Sequence, residues 1–287
     1  MTGVQTCALP IYVWRKMTDK EKVWLRRELQ ANSISQFMHG EQGALIATAK
    51  IVATVPDMNA KFYAATQVMD EARHVEVYKR LLHEKFQLAY PINKALQALL
   101  EQTLTDRRWD MTYLGMQVLI EGLALAAFQS IRDKSGSTLA GAVNAYVMQD
   151  EARHVSFGRL ALRDYYPHLS EAERDEREQF VVEALYFMRD RFNQAEVWER
   201  LGLPQKMLDE IHYNSKQMNS FRGRLFSRVV PTIKDIGLWG PRVRKAFAEM
   251  GVMDYAEINV VEQLANDGKV AEDFDRKMFV DKAVAAE

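Results

Sequence analysis

The stretch Asp70-Glu71-Ala72-Arg73-His74-Val75 recurs without a mismatch as Asp150-Glu151-Ala152-Arg153-His154-Val155, 80 residues later (150 − 70). The same offset pairs Glu41 with Glu121, and each of these glutamates lies in an apolar setting that contains glycine. Each copy therefore reads Glu and then, thirty residues later (71 − 41 and 151 − 121), Glu-x-x-His. Such identity at a matched offset indicates that one structural unit occurs twice in the chain.

A turn signal lies halfway between the two glutamates of each copy, Pro56 in the first copy and Gly136 in the second. If the chain folds back there as an antiparallel helix pair, about fifteen residues with a rise of ~1.5 Å each carry it roughly 22 Å out and back. The two glutamates of each copy then return to one level. Since Glu and His three positions apart share a helix face, two such pairs would direct four carboxylates and two imidazoles at one volume.

Six ionisable side chains inside a helix bundle need a compensating charge, because burying unpaired charge is costly. Two metal cations supply that charge, and carboxylate oxygen with imidazole nitrogen suits iron or manganese. One Glu from each of two helices and Glu-x-x-His from each of two others is the ligand set of dimetal bundles. Exposed helix charges are the default interpretation of a single Glu-x-x-His, but the doubled pattern favours metal. The predicted metal ligands, which are also the predicted catalytic residues, are Glu41, Glu71, His74, Glu121, Glu151 and His154.

This pattern resembles the ferritin-like carboxylate-bridged dimetal superfamily over about residues 28–166. The resemblance implies an all-α, ferritin-like four-helix bundle with a long crossover and additional C-terminal helices. It also implies two iron ions, with Fe/Mn or Mn/Mn pairs as alternatives.

The Asp-Glu-x-Arg-His form is similar to bacterial multicomponent monooxygenases. That likeness implies that Asp70 and Asp150 accept hydrogen bonds from the histidines of the opposite helix pair, with Arg73 and Arg153 balancing the acids. Surface Asp–Arg ion pairs are the alternative.

The sequence predicts long helices at about 19–53, 58–85, 105–133 and 138–165, and a short crossover helix with Pro91 in its first turn. Further helical stretches are expected at 171–200, 204–229 and 241–250. We assign residues 12–166 to the bundle and residues 167–287 to a helical extension packed on it within the same domain.

Residues 1–11 (MTGVQTCALPI) can be encoded by a common sequencing-library adapter, and we expect them to be an artefact of cloning or assembly. A natural tail or a short signal peptide is the alternative, but a basic region and a long apolar region are both missing. On this interpretation Cys7, the one cysteine of the chain, does not belong to the protein, and the authentic N-terminus is missing.

Composition excludes other classes of function. The formal net charge of −1 argues against nucleic-acid binding. The most apolar stretch, Gly115–Ile131, contains Gln117, Glu121 and Gln129 and is too polar to cross a membrane comfortably. We therefore expect a cytoplasmic protein without a transmembrane segment.

The sequence lacks features that are typical of several other families with dimetal or iron sites, which argues against membership in them. Rubrerythrin-type peroxidases need cysteine ligands, and small subunits of ribonucleotide reductase commonly begin their ligand set with Asp, where this chain has Glu41. The p-aminobenzoate N-oxygenase family adds a third His one turn before the second Glu-x-x-His. Val147 occupies that position and argues against membership. Storage ferritins and fatty aldehyde deformylating oxygenases lack a long C-terminal region.

What remains is a non-haem dimetal oxidase or monooxygenase that uses O₂ to oxidise an unidentified, apolar organic substrate. No further cofactor-binding residues are predicted, because neither a flavin fingerprint nor an iron–sulfur ligand set is visible. Electrons are therefore expected from an external ferredoxin or reductase. Basic residues between Phe221 and Phe247 could receive such a donor, with a solvated helix face as the alternative. A ferroxidase or iron-handling bundle without organic substrate is the alternative function, and a homodimer is an option by analogy alone.

Glycines near the predicted ligands leave room for O₂ and substrate or, equally, allow close helix packing. They are Gly40, Gly43, Gly122 and Gly158, and the side chains that could line a pocket beside them are Leu45, Leu125, Phe128 and Phe157. Tyr78 follows His74 by four residues on the same helix face. It is either a redox-active tyrosine, as in ribonucleotide reductase small subunits, or, as we favour, a core residue.

Overall fold

The computed structural model describes residues 11–134, 137–211 and 216–284, and every regular element within these ranges is helical. The prediction of an all-α, ferritin-like fold is confirmed. Cys7 and Gly136 lie outside the described residues.

The chain divides into two compact units. The first unit contains the described residues up to Met116 together with Gln179–Arg224, and the second contains Gln117–Glu178 together with the described residues from Leu225 onward. The predicted division into a bundle at 12–166 and an extension at 167–287 stays a prediction.

The first unit contains two long helices and several short ones. These are α1 (Ile11–Lys16), α2 (Asp19–Thr54), α3 (Met58–Arg80), a π-helical segment at Leu81–Phe86, α4 (Lys94–Thr105) and α5 (Trp109–Tyr113). A second π-helical segment at Leu114–Glu121 follows and crosses into the second unit.

The second unit continues with α6 (Gly122–Lys134), α7 (Thr138–Tyr165) and a 3₁₀ turn at Tyr166–His168. Helix α8 (Glu171–Asp190) contributes residues to both units. Helices α9 (Ala195–Arg200) and α10 (Gln205–Asp209) belong to the first unit, as does all of α11 (Lys216–Leu225) except its last residue. The remaining helices of the second unit are α12 (Val229–Asp235), α13 (Pro241–Glu249), a 3₁₀ turn at Met253–Glu257, α14 (Val260–Asp267) and α15 (Val270–Val284).

Helices α2 and α3 form the predicted hairpin of the first copy. Thr18 begins α2 with a capping box, in which its hydroxyl accepts from the Glu21 amide and Glu21 accepts from the Thr18 amide at 2.7 Å. The chain turns at Pro56, and Asp57 caps α3 by accepting from the Ala60 amide at 2.7 Å. The two helices then pack against each other.

Helices α6 and α7 form the corresponding pair in the second unit and likewise pack against each other. Ser137 caps α7 by accepting a hydrogen bond from the Ala140 amide at 3.4 Å. The predicted helices at 19–53 and 138–165 therefore agree with the structure to within a residue at each end.

Two predicted helix starts were wrong. The crossover helix begins at Lys94, because Asn93 is its N-cap and accepts from the Leu96 amide at 2.8 Å. Pro91 lies before the helix, where its carbonyl accepts from the Gln36 side chain. The third long helix begins at Trp109 rather than near 105, since the chain is extended at Asp106.

The predicted helix at 171–200 is interrupted between α8 and α9. Gln194 adopts a left-handed conformation (φ 54°) there. Its side chain donates to the Leu29 carbonyl and to the Ser33 hydroxyl, both at 2.8 Å, which holds the break against α2. Further hydrogen bonds link α9 to α2. Arg200 of α9 and Tyr90 both donate to the buried carboxylate of Glu28 on α2.

One helical stretch, Trp109–Asp133, is long and apolar enough to cross a membrane by length and composition. Its most apolar window is 83% buried inside the protein. Such burial is typical of a core helix in a soluble protein.

Candidate metal centre

The first unit contains a buried triad of two glutamates and one histidine, which we call the first triad. Glu41 lies in the middle of α2, and Glu71 and His74 lie one turn apart on α3. Nδ1 of His74 lies 3.3 Å from Glu41 Oε2 and 3.5 Å from Glu71 Oε2. All three side chains are at most 5% exposed, and each offers a ligand atom within 4.8 Å of the others.

The second unit contains the matching group, which we call the second triad. Glu121 ends the π-helical segment, and Glu151 and His154 lie one turn apart on α7. Nδ1 of His154 lies 3.5 Å from Glu151 Oε2. These side chains are at most 3% exposed and again offer ligand atoms within 4.8 Å of one another.

The donor set of each triad fits a metal ion. Two carboxylates that are close together and shielded from water repel each other, and one imidazole does not balance both. A cation relieves this repulsion, and oxygen with imidazole nitrogen is a donor set that iron and manganese accept. In both triads Nδ1 is the imidazole nitrogen that faces a carboxylate, so Nδ1 is the nitrogen placed for metal binding. The assignment of the six residues as ligands stays a prediction.

Gln67 supports the first triad in a way that the sequence analysis missed. Its Nε2 donates a hydrogen bond of 2.9 Å to Glu71 Oε1 inside the protein. That bond holds one carboxylate oxygen, while Oε2 faces His74. The repeat places Val147 at the position in the second copy that corresponds to Gln67 (147 − 67 = 80). A polar residue one turn before Glu71, on the buried face, was the available signal.

Arg191 is a second residue that the sequence analysis missed. It directly follows α8 in the first unit and is only 3% exposed. Burial lowers the pKa of Arg191 to about 10, and the negative charge of Glu41 opposes that shift. The guanidinium therefore remains charged at neutral pH. No sequence motif indicated this residue, because Glu41 and Arg191 are 150 residues apart (191 − 41).

Each aspartate of the repeated motif pairs with the arginine three residues further along its own helix. Asp70 accepts from Arg73, and Asp150 accepts from Arg153. Both interpretations of the motif include this pairing, so the pairs do not decide between them. Contact of each aspartate with the histidine of the opposite helix pair stays a prediction.

Two of the four glycines near the ligands serve close packing. A Cβ on Gly43 would lie 2.4 Å from Leu100 Cδ2, and one on Gly158 would lie 2.7 Å from Gln117 Oε1. The space beside these glycines is therefore filled by side chains of their own units, which favours the close-packing alternative at both positions. Neighbours of Gly40 and Gly122 are at ordinary contact distance, 3.7 Å and 3.6 Å.

The side chains expected to line a pocket differ in burial. Leu125 and Phe128 are fully buried in the second unit, whereas Leu45 and Phe157 are half-buried. Tyr78 is fully buried, and its ring packs at 5.9 Å from that of Phe37. This packing agrees with a core tyrosine.

The basic stretch between Phe221 and Phe247 is largely engaged in contacts within the chain. Arg222 is buried and donates to Asn193 in the first unit. In the second unit Arg228 is buried against Asp267 at 2.9 Å. Ion pairs also join Lys234 to Glu257, Arg242 to Asp175 and Lys245 to Glu249. The stretch thus combines buried arginines with the exposed residues Arg242, Arg244 and Lys245 of α13, which agree with a solvated helix face.

Repeated helical hairpins, each with a buried Glu, Glu and His, define the ferritin-like dimetal class of proteins. Within that class the chain belongs to the family described as "P-aminobenzoate N-oxygenase AurF", whose model matches residues 10–237. No curated protein matches the chain.

Family membership corrects the expectation drawn from Val147. The family model matches 228 residues (237 − 10 + 1), so membership depends on the helices and motifs of that whole length rather than on one position. Val147 is a buried apolar residue of α7, one turn before Glu151, where an apolar side chain packs without disturbing the helix.

The family consists of O₂-dependent di-iron oxygenases, and this protein is accordingly an oxygenase that acts on an organic substrate. An iron-handling bundle without organic substrate is not favoured.

Proposed function

We propose that the protein N-oxygenates an aromatic amine and that each triad supplies ligands for the metal ions that this reaction needs. The observation that carries the proposal is the occurrence of the same buried Glu, Glu and His group in both copies of the repeat. The substrate class follows from the family, whose description names p-aminobenzoate.

Iron is the metal that we propose, because the family contains di-iron enzymes and the donor set suits it. Fe/Mn and Mn/Mn pairs have the same ligand requirements and are the outcomes against which iron is tested. When bound, the metal pair supplies the redox chemistry that activates O₂.

The overall reaction balances with an external reductant. One oxygen atom of O₂ is inserted into an N–H bond of the amine and gives a hydroxylamine. The other oxygen leaves as water, which takes up two protons and two electrons. We propose that a ferredoxin or a reductase supplies these electrons.

The side chains of this protein contribute geometry and exclusion of water. Glu41 and Glu71 bring negative charge to the first triad, and Gln67 fixes one oxygen of Glu71 so that the carboxylate cannot rotate freely. Glu121 and Glu151 bring the same charge to the second triad. Burial of all four carboxylates removes competing water from the reacting groups.

Three further features belong to the proposal. The protein acts in the cytoplasm, by analogy with soluble enzymes of this class. A homodimer is proposed on the same analogy. Residues 12–166 supply the metal-binding bundle, and residues 167–287 form an extension of the same domain.

The proposal is tested by turnover of p-aminobenzoate with iron-loaded protein, a chemical or enzymatic reductant and isotopically labelled O₂. We expect mass spectrometry to find a hydroxylamine, nitroso or nitro product that carries the label. Glu71→Ala and Glu151→Ala are the controls, and both should yield no labelled product. Consumption of Fe²⁺ and O₂ without any labelled product from arylamines would support the iron-handling alternative and contradict the proposal.

A further inference from the structure

Helix α3 carries an apolar stripe on its exposed face, which we call the α3 seam. Its members follow one another at alternating intervals of four and three residues and are Met58, Phe62, Ala65, Met69 and Ala72. All five are exposed, and the two largest, Phe62 and Met69, are 64% and 68% exposed. Single exposed apolar side chains are common, whereas a continuous stripe indicates a contact surface. Intervals of four and three are those of a helix that packs along a second helix.

The neighbouring helix adds to this apolar surface. Helix α2 packs against α3, and its Ile46 is 58% exposed. Ala49 and Ala53 follow Ile46 at intervals of three and four residues and are exposed as well. The first hairpin thus exposes apolar side chains on both of its helices.

The repeat shows how the corresponding positions are covered in the second unit. The positions 80 residues after those of the seam are Thr138, Ala142, Ala145, Gln149 and Ala152 of α7. Ala145 and Ala152 are buried, and Ala142 and Gln149 are half-buried. Helices α14 and α15 pack against α7, and Phe274 of α15 lies 3.0 Å from the position that a Cβ of Gly141 would occupy. The α3 seam has larger apolar side chains at positions 62 and 69 and is nevertheless exposed.

We propose that the α3 seam packs against the α3 seam of a second copy of this chain, in antiparallel orientation about a twofold axis midway between Ala65 and Met69. In this register Phe62 faces the partner's Ala72, and Met69 faces the partner's Ala65. Large side chains therefore meet small ones, which is how paired helices fill the space between them. This inference rests on the homodimer of the proposed function and gives that homodimer its interface.

Charged residues at the two ends of the seam favour the antiparallel orientation. Glu76 is exposed and occupies the next position of the seam, four residues after Ala72, and Lys61 flanks the opposite end. In the antiparallel pair Glu76 lies beside the partner's Lys61, and the twofold axis forms this ion pair twice. A parallel pair would instead bring the two Glu76 side chains together, and like charges repel. A second copy of the chain is thus complementary to the seam in both shape and charge.

The first test measures the oligomeric state of the full chain by sedimentation velocity. We expect a dimer. Phe62→Glu and Met69→Glu should each raise its dissociation constant by about 10- to 100-fold, because each would bury a charge in the interface. Val23→Glu is the matched control, since Val23 is 62% exposed on α2 but lies outside the seam. This variant should dimerise like the unmodified chain, and circular dichroism establishes that every variant is folded.

A charge-reversal cycle tests the ion pair. Glu76→Lys and Lys61→Glu should each weaken the dimer. The double variant should regain part of the lost affinity, because it restores opposite charges at both ends of the seam. Two single losses that simply add in the double variant would contradict this ion pair.

Crosslinking tests the orientation, in a chain whose Cys7 is replaced by serine. Thr66 is exposed and lies beside the proposed axis, so Thr66→Cys should be joined to its copy by a short thiol-reactive crosslinker. Lys79 is exposed and lies twelve residues from the level of the axis (79 − 67). The antiparallel pair separates Lys79 from its copy by roughly 36 Å, so Lys79→Cys should not be crosslinked.

Three outcomes would overturn the proposal. The unmodified chain is a monomer, the dimer survives both Phe62→Glu and Met69→Glu, or crosslinking occurs at position 79 and not at position 66. These results are independent of turnover. A monomeric chain that N-oxygenates p-aminobenzoate would contradict the dimer interface alone, whereas a dimer that forms through α3 without any N-oxygenated product would contradict the proposed reaction alone.

Discussion

Gln67 donates a buried hydrogen bond of 2.9 Å to the carboxylate of Glu71, the predicted metal ligand one turn further along α3. The repeat gives the second triad Val147 in the corresponding place. The two triads thus have the same donor groups but different support. This asymmetry leads to two predictions about the metal centre.

Replacement of Gln67 by Val should weaken metal binding about 10- to 100-fold, because the carboxylate of Glu71 loses the bond that orients it. Metal affinity is measured by competition with a chelator. Gln97→Val is the control, since Gln97 donates a bond of similar length, 2.8 Å, to Glu101 on the exposed face of α4. Equal metal affinity in the Gln67 and Gln97 variants would contradict a positioning role for Gln67.

Replacement of Val147 by His should change the electronic spectrum of the loaded protein. An imidazole at this position shares the face of α7 with Glu151 and lies one turn before it, where the family pattern adds its third His. Overpacking by the larger ring should cost about 1–3 kcal/mol of stability. Val147→Leu controls for added volume. If both variants show the spectrum of the unmodified protein, an imidazole at 147 does not reach the metal.

Gly158→Ala should destabilise the protein by about 1–3 kcal/mol, because the new Cβ would lie 2.8 Å from Cβ of Gln117, an atom close to the backbone that cannot move away easily. Gly223→Ala is a control with the opposite sign. No atom lies within 4 Å of the Cβ position there, and Ala in place of Gly in helix α11 should stabilise by roughly 0.5–1 kcal/mol. Urea denaturation measures both. A neutral Gly158→Ala would show that the space beside Gly158 is open after all.

The buried phenol of Tyr90 should make the folded protein less stable at alkaline pH. Burial raises the pKa of Tyr90 from 10.0 to about 12, and its hydrogen bond to Glu28 acts in the same direction. Because the folded state favours the protonated phenol, the stabilisation is complete below pH 10 and is lost as the pH rises from 10 through about 12. Tyr90→Phe should cost about 1–2 kcal/mol near pH 8, and clearly less near pH 11.

Denaturant unfolding at the two pH values measures the Tyr90 effect, with the exposed Tyr186→Phe as control. A cost of Tyr90→Phe that is the same at both pH values would show that burial and Glu28 do not stabilise the protonated phenol.

Much of the fold could be predicted because the repeat and its turn signals mark the helices directly. Pro56 and the Asp57 cap fixed the turn between α2 and α3, and the glutamate spacing indicated which residues share a level. The π-helical segment Leu114–Glu121 was not predicted, because a change of hydrogen-bond register leaves no regular trace in side-chain periodicity.

The site was predictable where ligands lie close in sequence and missed where distant residues meet. His74 and Glu71 form a local motif, whereas Arg191 reaches Gly40 from the turn after α8 at a separation of 151 residues (191 − 40). The expectation from Val147 failed for a different reason. The absence of a histidine at position 147 was given more weight than the family pattern, which extends over most of the chain.

The most direct test of the account is metal analysis of the protein produced with iron and manganese both supplied, followed by optical spectra after anaerobic reduction and exposure to O₂. We expect about two metal ions per chain. We also expect that iron predominates, that a transient visible band appears with O₂, and that Glu71→Ala and Glu151→Ala each lose metal. Folded protein without bound metal, or metal content unaffected by either substitution, would contradict the dimetal centre and the function built on it.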